Sequence, residues 1–579
     1  MEAALRRGKL KPMTRGDRAL SIAVAASPVL VIATLAGPVL AGLAGTLLPA
    51  FGFFPALGGD SFGLDGFRTL FAEPGIWMSI RLSLFTGLAA TAISLAVVIL
   101  AIGAGIGTRA FARLTRLISP MLALPHAAAA FGFLFLLAPS GFLSRLISPE
   151  LTGWTQPPDI LIPNDPMGFS LIAGLVLKEI PFLLLMALAA TSQIKIAQSR
   201  QLIASFGYGR IAGFLIAIWP QLYQRMRLPV FAVLAFSTTV VDVAAILGPT
   251  NPAPLAIRLV GWMNDPDLSM RFPASSGAIV LVLLTLAAIL LWTGLEWIGS
   301  IAMRRQCGRG RRFEHDALVR WLSLTVAALT SAIVLSGLLL LALWSIAGLW
   351  QFPHAFPSQL TLKSWMNALP QMAGPLWTTV SVACLSAAIS TALVVLVLQR
   401  ASETRREVLA GQWLIYTPLI VPQASFLFGL QLLVIGSPFA FSTPMLVLVH
   451  MVFVLPYVLL SLNDPWRGFD QRFEQIAFGL GQSRWHVFWK IRLAMMLRPL
   501  LTAFAIGFAV SAGLYLPTVL IGAGRLPTIT TEAVALASGG NRRVIGVYAF
   551  MQTLLPYIAF SFASLLPALL FANRRAMRH

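Results

Sequence analysis

Three ionisable residues interrupt segments of the sequence that are otherwise apolar. Lys178 and Glu179 are adjacent in one such segment, and Asp242 stands in the next. An ionisable group inside a bilayer costs several kcal/mol and normally faces a cavity or a partner. Because a carboxylate on the wall of a permeation pathway favours a cation, these residues suggest the binding and passage of a solute.

Each of these residues also has a purely structural interpretation. Adjacent residues of a helix point about 100° apart, so Lys178 and Glu179 cannot face one target. They would instead form an internal charge pair that stiffens a kink at Pro181. The carboxylate of Asp242 would be satisfied by a neighbouring hydroxyl or by Lys178. A histidine in an apolar segment is also more often packed or hydrogen-bonded than a ligand, so His450 is expected to have a structural role.

The composition of the chain decides what kind of protein must hold these residues. Of 579 residues, 58% are hydrophobic and 11% are charged, and the mean hydropathy is +0.82. A soluble domain is typically about 25% charged, so this chain cannot cover a water-facing surface. The composition excludes a soluble enzyme, a disordered protein and a DNA-binding domain. It predicts an all-α polytopic membrane protein in contact with membrane lipid.

Segments long enough to cross a bilayer recur along the chain. A spanning helix needs roughly 20 mostly apolar residues. The first six such segments are near 19–48, 77–103, 114–138, 166–190, 226–248 and 274–303. The second six are near 318–349, 372–398, 408–437, 440–462, 498–522 and 546–573. About twelve transmembrane helices are therefore predicted, an even number that puts both termini on one side.

The charges predict which side that is. The net charge is +21, from 42 Lys and Arg against 21 Asp and Glu. Most basic residues fall on the side of the termini, in the N-terminal run, at Arg109, Arg113 and Arg116, in the run 304–312, at Arg400, Arg405 and Arg406, and at Arg574, Arg575 and Arg578. Cytoplasmic loops collect Lys and Arg, so both termini are expected in the cytoplasm. The charge then needs no nucleic-acid partner.

Two long loops on the same cytoplasmic side repeat one pattern. They lie near 199–220 and 472–494, and each precedes the fifth segment of a set of six. Gly207 and Gly481 occupy corresponding places in the two loops. A repeat of this kind predicts that the chain contains two copies of one design.

The boundary between the two copies is predicted from a polar stretch. Residues 304–317 include the longest polar run in the middle of the chain and lie between the sixth and seventh segments. The predicted organisation is a first six-helix half, 1–303, a cytoplasmic linker, 304–317, and a second six-helix half, 318–579.

Both loops resemble the cytoplasmic EAA signature of bacterial ABC importer permeases, which is Glu-Ala-Ala, then a Gly, then Leu-Pro. The matching residues are Ala204, Gly207 and Pro220 in the first loop and Glu474, Ala477 and Gly481 in the second. Gln201 replaces the usual acid of the first loop, and Ala494 replaces the proline of the second. The resemblance implies that a short helix of each loop docks in a groove of an ATPase subunit. The Gly would permit the sharp turn that such a loop requires.

The same resemblance implies the partners. The sequence contains no G-x-x-x-x-G-K-[ST] loop that would cradle phosphates, so ATP chemistry must come from another chain. Two copies of an ABC ATPase subunit and a periplasmic substrate-binding protein are implied. The chain would be a transport subunit of the bacterial inner membrane, without enzymatic activity, cofactor or metal.

The resemblance also selects the pathway residues. In the family, the fifth helix of each half lines the translocation route, which makes Asp242 a stronger candidate than Lys178 and Glu179. The corresponding segment of the second half, 511–517, contains no acid and offers Tyr515.

A second resemblance narrows the subfamily. The stretch from Gly522 to Glu532 is similar to fused permeases of the ferric iron and thiamine uptake class. The stretch 138–166 is similar to a less characterised thiamine-type branch. The implied substrate is a small solute; thiamine, a related cationic heterocycle, ferric iron and a polyamine all stay open.

Two other classes of membrane protein are weighed against this interpretation. A secondary transporter of twelve spans, coupled to an ion gradient, also shows repeats of six helices and uses carboxylates near the midplane. It does not require two long cytoplasmic loops with a Gly at matched positions. A membrane-embedded enzyme would need a catalytic motif, and none is visible in the sequence.

Overall fold

The computed structural model describes residues 14–191, 194–310, 312–404 and 412–570, and every regular element in these ranges is a helix. Isolated β-bridges join Phe54 to Gly59 and Ala347 to Leu360 without forming a strand. The predicted all-α fold is confirmed. The basic residues expected at 6–11, 405–406 and 574–578 lie outside the described ranges.

Residues 14–310, called the N-terminal half below, form thirteen α-helices in the part that the structure describes. They are α1 (Arg15–Ala50), α2 (Asp65–Ala72), α3 (Ile76–Gly105), α4 (Arg109–Ile118), α5 (His126–Leu137), α6 (Phe142–Leu146), α7 (Phe169–Thr191), α8 (Ile196–Ser205), α9 (Arg210–Gly213), α10 (Trp219–Thr239), α11 (Asp242–Leu247), α12 (Leu255–Met263) and α13 (Arg271–Gly308).

Residues 312–570, called the C-terminal half, form twelve more in their described part. They are α14 (Ala317–Ile346), α15 (Lys363–Thr404), α16 (Gln412–Ile420), α17 (Gln423–Val434), α18 (Thr443–Arg467), α19 (Arg472–Gly479), α20 (Arg484–His486), α21 (Leu493–Met495), α22 (Leu497–Gly513), α23 (Leu516–Gly522), α24 (Ile529–Ala535) and α25 (Arg542–Leu570).

Nine helices of the described ranges are long and apolar enough to cross a membrane. A tenth is added if the pair Arg484–Met495 and Leu497–Gly513, bent by 73°, counts as one span. In the described ranges, four of the twelve predicted segments are broken instead of continuous. Segment 114–138 contains the end of α4 and α5, segment 226–248 divides into α10 and α11, segment 408–437 contains α16 and α17, and segment 498–522 divides into α22 and α23. The chain is a polytopic membrane protein, and the count of twelve stays a prediction.

The first helix of each half packs on the other half. Helix α1 contacts α17 and α15, and α14 contacts α5 and α3. At the first crossing the Thr46 hydroxyl donates to the Ser425 carbonyl at 2.7 Å. At the second, a Cβ atom on Gly132 would lie 2.9 Å from the backbone of Gly337. Small residues let two membrane helices approach this closely, so the halves are interlocked by two crossings.

Two helices, α7 with Lys178 and Glu179 and α18 with His450, lie near the centre of the molecule. In the most apolar stretch of α7 and of α18, 72% of residues are buried, compared with 28% in α1. Helices such as α1 therefore face lipid on much of their surface. The enclosed positions of α7 and α18 explain how polar side chains on them are kept away from lipid.

Candidate coupling loops and pathway residues

The loop of the N-terminal half is two short helices joined at a left-handed glycine. Helix α8 ends at Ser205, and Gly207 follows with φ +75°. Helix α9 then runs into a π-helix, Phe214–Ile218, which leads into α10. Pro220 lies in the first turn of α10, where its missing N–H costs little.

The loop of the C-terminal half has the same construction. Helix α19 ends at Gly479, and Gly481 has φ +77°. Helix α20 is followed by a π-helix, Val487–Arg492. Here the chain bends before α22, and Ala494 stands in the short helix α21.

The two turns share their backbone hydrogen bonds as well. The N–H of Tyr208 donates to the Ile203 carbonyl at 3.4 Å, and the N–H of Gln482 donates to the Ala477 carbonyl at 3.1 Å. These bonds close a helix end around a left-handed residue. Both turns thus need glycine, and the matched spacing of Gly207 and Gly481 has a structural reason.

Each loop also exposes apolar side chains at matched places, which the motif comparison did not identify. Leu202 and Phe206 are 60% and 59% exposed. The corresponding residues, Ile476 and Leu480, are 62% and 76% exposed. Ala204 is exposed as well, whereas Ala477 is buried. Exposed apolar side chains grouped in this way are typical of surfaces that bind a partner.

The N-terminal loop is attached to α3 by arginines. Arg200 donates to the Ile106 carbonyl at 3.0 Å, and Arg210 donates to Gly103 at 3.3 Å and also to Ile106. These carbonyls belong to the end of α3 and would otherwise have no partner. Burial lowers the pKa of Arg210, and the nearby Arg200 lowers it further.

The C-terminal loop is attached to the corresponding helix, α15, through Arg492. Its guanidinium pairs with Glu474 at 3.2 Å and donates to Gln399 at 3.0 Å and Ser402 at 3.1 Å. It also lies 4.3 Å from the centre of the Trp466 ring. Glu474, the acid of the motif, is thus directed towards its own loop.

Lys178 does not pair with Glu179. Its ammonium donates to three carbonyls, at 3.3 Å to Met121, 3.2 Å to Leu122 and 2.5 Å to Leu124. An ammonium has three N–H donors, so these bonds use all of them. Lys178 fixes the segment that precedes α5 and has no donor left for a solute or for Asp242.

Glu179 turns in another direction, towards α5. Its Oε1 atom lies 3.6 Å from Nε2 of His126, and the glutamate side chain is 5% exposed. The imidazole of His126 packs at 4.7 Å on the ring of Phe236. The same Oε1 accepts no hydrogen bond from the described residues, which leaves it open to a donor.

Asp242 lies beside this pair. It is the first residue of α11, after a break at Val240 and Val241, and it is 8% exposed. It is within electrostatic range of His126 and Glu179. Helices α5, α7 and α11 therefore bring two carboxylates and one imidazole together.

The C-terminal half meets this cluster at Tyr515. Its hydroxyl is within electrostatic range of Asp242. Tyr515 lies in a break between α22 and α23, at the place that corresponds to the break between α10 and α11. Two broken helices, one from each half, thus bring Asp242 and Tyr515 to the same region.

His450 shows how the C-terminal half differs. Its Nδ1 lies 2.8 Å from the Ser511 hydroxyl, and its Nε2 lies 3.2 Å from the Thr518 hydroxyl. Both ring nitrogens are occupied and the residue is 1% exposed. In this half, one imidazole joins α18 to the two helices that flank the break at Tyr515, α22 and α23.

Comparison with known proteins identifies the family. No family model and no solved structure matches the chain. The chain is 30% identical over 515 residues to the inner membrane ABC transporter permease protein YnjC of Escherichia coli strain K12, covering 89% of this chain and 93% of that protein. It is 25% identical over 468 residues to the thiamine transport system permease protein ThiP of the same strain, covering 78% and 82%.

These relatives align over both halves and agree with the helical, apolar fold. A multi-pass inner-membrane protein with a transport role accounts for both the similarity to these permeases and the apolar helices. The chain belongs to the family of fused permease subunits of ABC importers.

Proposed function

We propose that the chain is the permease of an ATP-driven importer that passes a small organic cation from a periplasmic binding protein to the cytoplasm. The two halves, 1–303 and 318–579, would alternate between outward and inward access, with both termini in the cytoplasm. Transport is then a shift between two packings of the same helices.

The observation that carries this proposal is the pair of matched loops. Each loop has a left-handed glycine and a π-helix, and each exposes apolar residues at corresponding places: Leu202 and Phe206, and Ile476 and Leu480. A loop that receives force from a partner must be a compact body attached to its own half. The arginine contacts to α3 and α15 supply that attachment, which supports one ATPase subunit on each loop.

The nature of the solute is argued from the cluster around Asp242. Two buried carboxylates, from Glu179 and Asp242, face one imidazole, and Tyr515 approaches from the other half. Aromatic and carboxylate groups together bind organic cations. Thiamine carries a permanently cationic ring, and the name of one relative is consistent with it.

The first experiment is purification of the tagged chain from native membranes in mild detergent, followed by native mass spectrometry. Two copies of an ATPase with a phosphate-binding loop per chain are expected. A co-purifying binding protein would then be tested for thiamine binding by calorimetry. A chain that purifies alone, and transports in proteoliposomes under an ion gradient without ATP, would overturn the proposal in favour of a secondary transporter.

A further inference from the structure

Two aspartates, one at the start of each half's first helix, reach the loop of the opposite half. Asp17 lies in the first turn of α1, and its Oδ1 accepts the backbone N–H of Trp485 at 2.8 Å. Asp316 immediately precedes α14, and its Oδ2 accepts the backbone N–H of Ile211 at 2.8 Å. Each contact therefore joins a first helix to a loop across the two halves.

The two contacts are equivalent by position. Ile211 is the second residue of α9, and Trp485 is the second residue of α20. The same number of residues separates Ile211 from Trp485 as separates Gly207 from Gly481. A chance contact would not recur at the same place in both copies of the loop.

In each carboxylate, one oxygen atom has a partner at its own helix and the other has a partner in the opposite loop. Oδ2 of Asp17 accepts from the N–H of Thr14 at 3.0 Å and from its hydroxyl at 2.7 Å, which leaves Oδ1 for the opposite loop. Oδ1 of Asp316 lies 3.6 Å from the guanidinium of Arg320 on α14, which leaves Oδ2 for the opposite loop. One oxygen thus fixes the aspartate on its own helix while the other holds the loop.

The surroundings reinforce both contacts. Asp17 and Asp316 are 6% and 8% exposed, so water competes little for their oxygens. A Cβ atom on Gly16 would lie 3.0 Å from the Trp485 ring, so the start of α1 is packed against the loop. Near Asp316, the N–H of Gly209 donates to the Arg312 carbonyl at 2.9 Å. Charge-assisted hydrogen bonds in such places are stronger than ordinary ones.

We propose that Asp17 and Asp316 are positioning residues that tie each coupling loop to the opposite half, so that the two loops move together. The proposal rests on the proposed function, because it assigns the tie to loops that receive force from the ATPase. When one loop moves, it carries the first helix of the other half, and that helix also packs within its own half, α1 on α13 and α14 on α25. The two ties thereby transmit motion in the same way from either loop to the opposite half, although the ATPase subunits are separate.

The tie is tested by measuring the distance between the loops in the full-length chain. Gln201 and Gln475, both exposed and at corresponding places, are replaced by spin-labelled cysteines after Cys307 and Cys384 have been changed to Ser. In Asp17→Ala, in Asp316→Ala and most of all in the double variant, we expect a broader distance distribution than in the parent. Asp17→Asn and Asp316→Asn keep an oxygen acceptor and should restore a narrow distribution.

The matched control is Asp470→Ala. Asp470 also accepts a backbone N–H, that of Arg472 at 3.0 Å, but this bond stays within the C-terminal loop. It should leave the distance distribution unchanged. In reconstituted complexes, the alanine variants at Asp17 and Asp316 should also weaken, severalfold, the stimulation of ATP hydrolysis by the binding protein.

The outcomes separate the two proposals. Unchanged distance distributions in the double alanine variant would overturn the tie, whether or not an ATPase binds. Failure of the parent chain to bind any ATPase would overturn the proposed function, and the distance measurement would still decide whether the aspartates hold the loops together.

Discussion

Arg492 and Arg484 belong to the same loop but occupy opposite environments. The side chain of Arg492 is 2% exposed and pairs with Glu474, which is 16% exposed. The side chain of Arg484 is 46% exposed and pairs with Glu403 at 2.7 Å. A buried charge that loses its partner is left uncompensated, whereas an exposed one is solvated by water.

We therefore predict that Arg492→Ala lowers the free energy of unfolding by about 3–5 kcal/mol, because it leaves the largely buried Glu474 without its ionic partner. Arg484→Ala should cost at most about 1 kcal/mol. Thermal unfolding of the two purified variants in detergent, followed by circular dichroism, measures the difference. Equal shifts in Tm would show that Arg492 does not organise the loop.

Substitutions of Asp242 and of Lys178 are predicted to impair the protein in different ways. Asp242→Asn removes a charge that we assign to the solute, so the KM for uptake of labelled thiamine should rise severalfold while the amount of protein in the membrane stays normal. Lys178→Met removes three hydrogen bonds to carbonyls and should lower the amount of folded protein. Unchanged uptake in Asp242→Asn, measured in cells at equal expression, would make the carboxylate structural.

Residue types alone predicted which apolar segments contain charged side chains, but not the partner of each charged side chain. Lys178 and Glu179 were separable by the helical angle, and their partners do lie in different directions. The partners themselves, carbonyls near Met121 and the imidazole of His126, are far away along the chain. No pattern within one segment can identify such partners, because they depend on how α5 and α7 pack.

At the scale of elements, the left-handed glycines determine the shape of both loops. A side chain at φ near +75° is strained by roughly 1–2 kcal/mol, since Cβ approaches the following carbonyl. Gly207→Glu and Gly481→Glu should therefore distort the loops and uncouple transport from ATP hydrolysis, while the protein remains inserted.

Gly479 provides the matched control for this prediction. It ends α19, its φ is not left-handed, and a Cβ atom there would meet nothing within 4 Å. Gly479→Glu should therefore keep coupled transport, measured as ATP hydrolysed per solute imported. The assignment of the coupling loops is wrong if Gly207→Glu and Gly481→Glu hydrolyse the same amount of ATP per imported solute as Gly479→Glu.

The elements were only partly predictable. Hydropathy identifies apolar stretches, and it placed 226–248 and 498–522 as single spans. It does not register the breaks before Asp242 and at Tyr515, because residues flanking these breaks are as apolar as those of a continuous helix. The breaks matter most for the pathway, since non-helical backbone in a membrane is stable only where protein or a water-filled cavity satisfies it.

At the scale of the whole molecule, the crossings of the first helices hold the halves together. Gly132 and Gly337 meet backbone to backbone, whereas a Cβ atom on Gly374 of α15 would meet nothing within 4 Å. Gly132→Leu should separate α5 from α14 and lower the Tm of the purified chain by several degrees, and Gly374→Leu should leave it unchanged. A tolerated leucine at Gly132 would mean that this crossing contributes little to stability.

The repeat in the sequence predicted two similar halves but not their interlocking. Matched loops can be recognised by comparing the chain with itself. The contacts of α1 with α17 and of α14 with α5 join segments hundreds of residues apart, and their packing residues are small and carry no distinctive pattern. Only the folded chain relates each first helix to the half in which it packs.

The crossing of α1 has a consequence for how the protein is made. Thr46 and its partner Ser425 are 379 residues apart in the chain. A ribosome adding about 5–20 residues per second needs roughly 20–80 s to cover that interval. Throughout it, α1 is already in the bilayer while α17 has not yet been synthesised. The nascent chain must therefore wait with the side of α1 that packs on α17 uncovered, and a chaperone or insertase that shields that side would act in this interval.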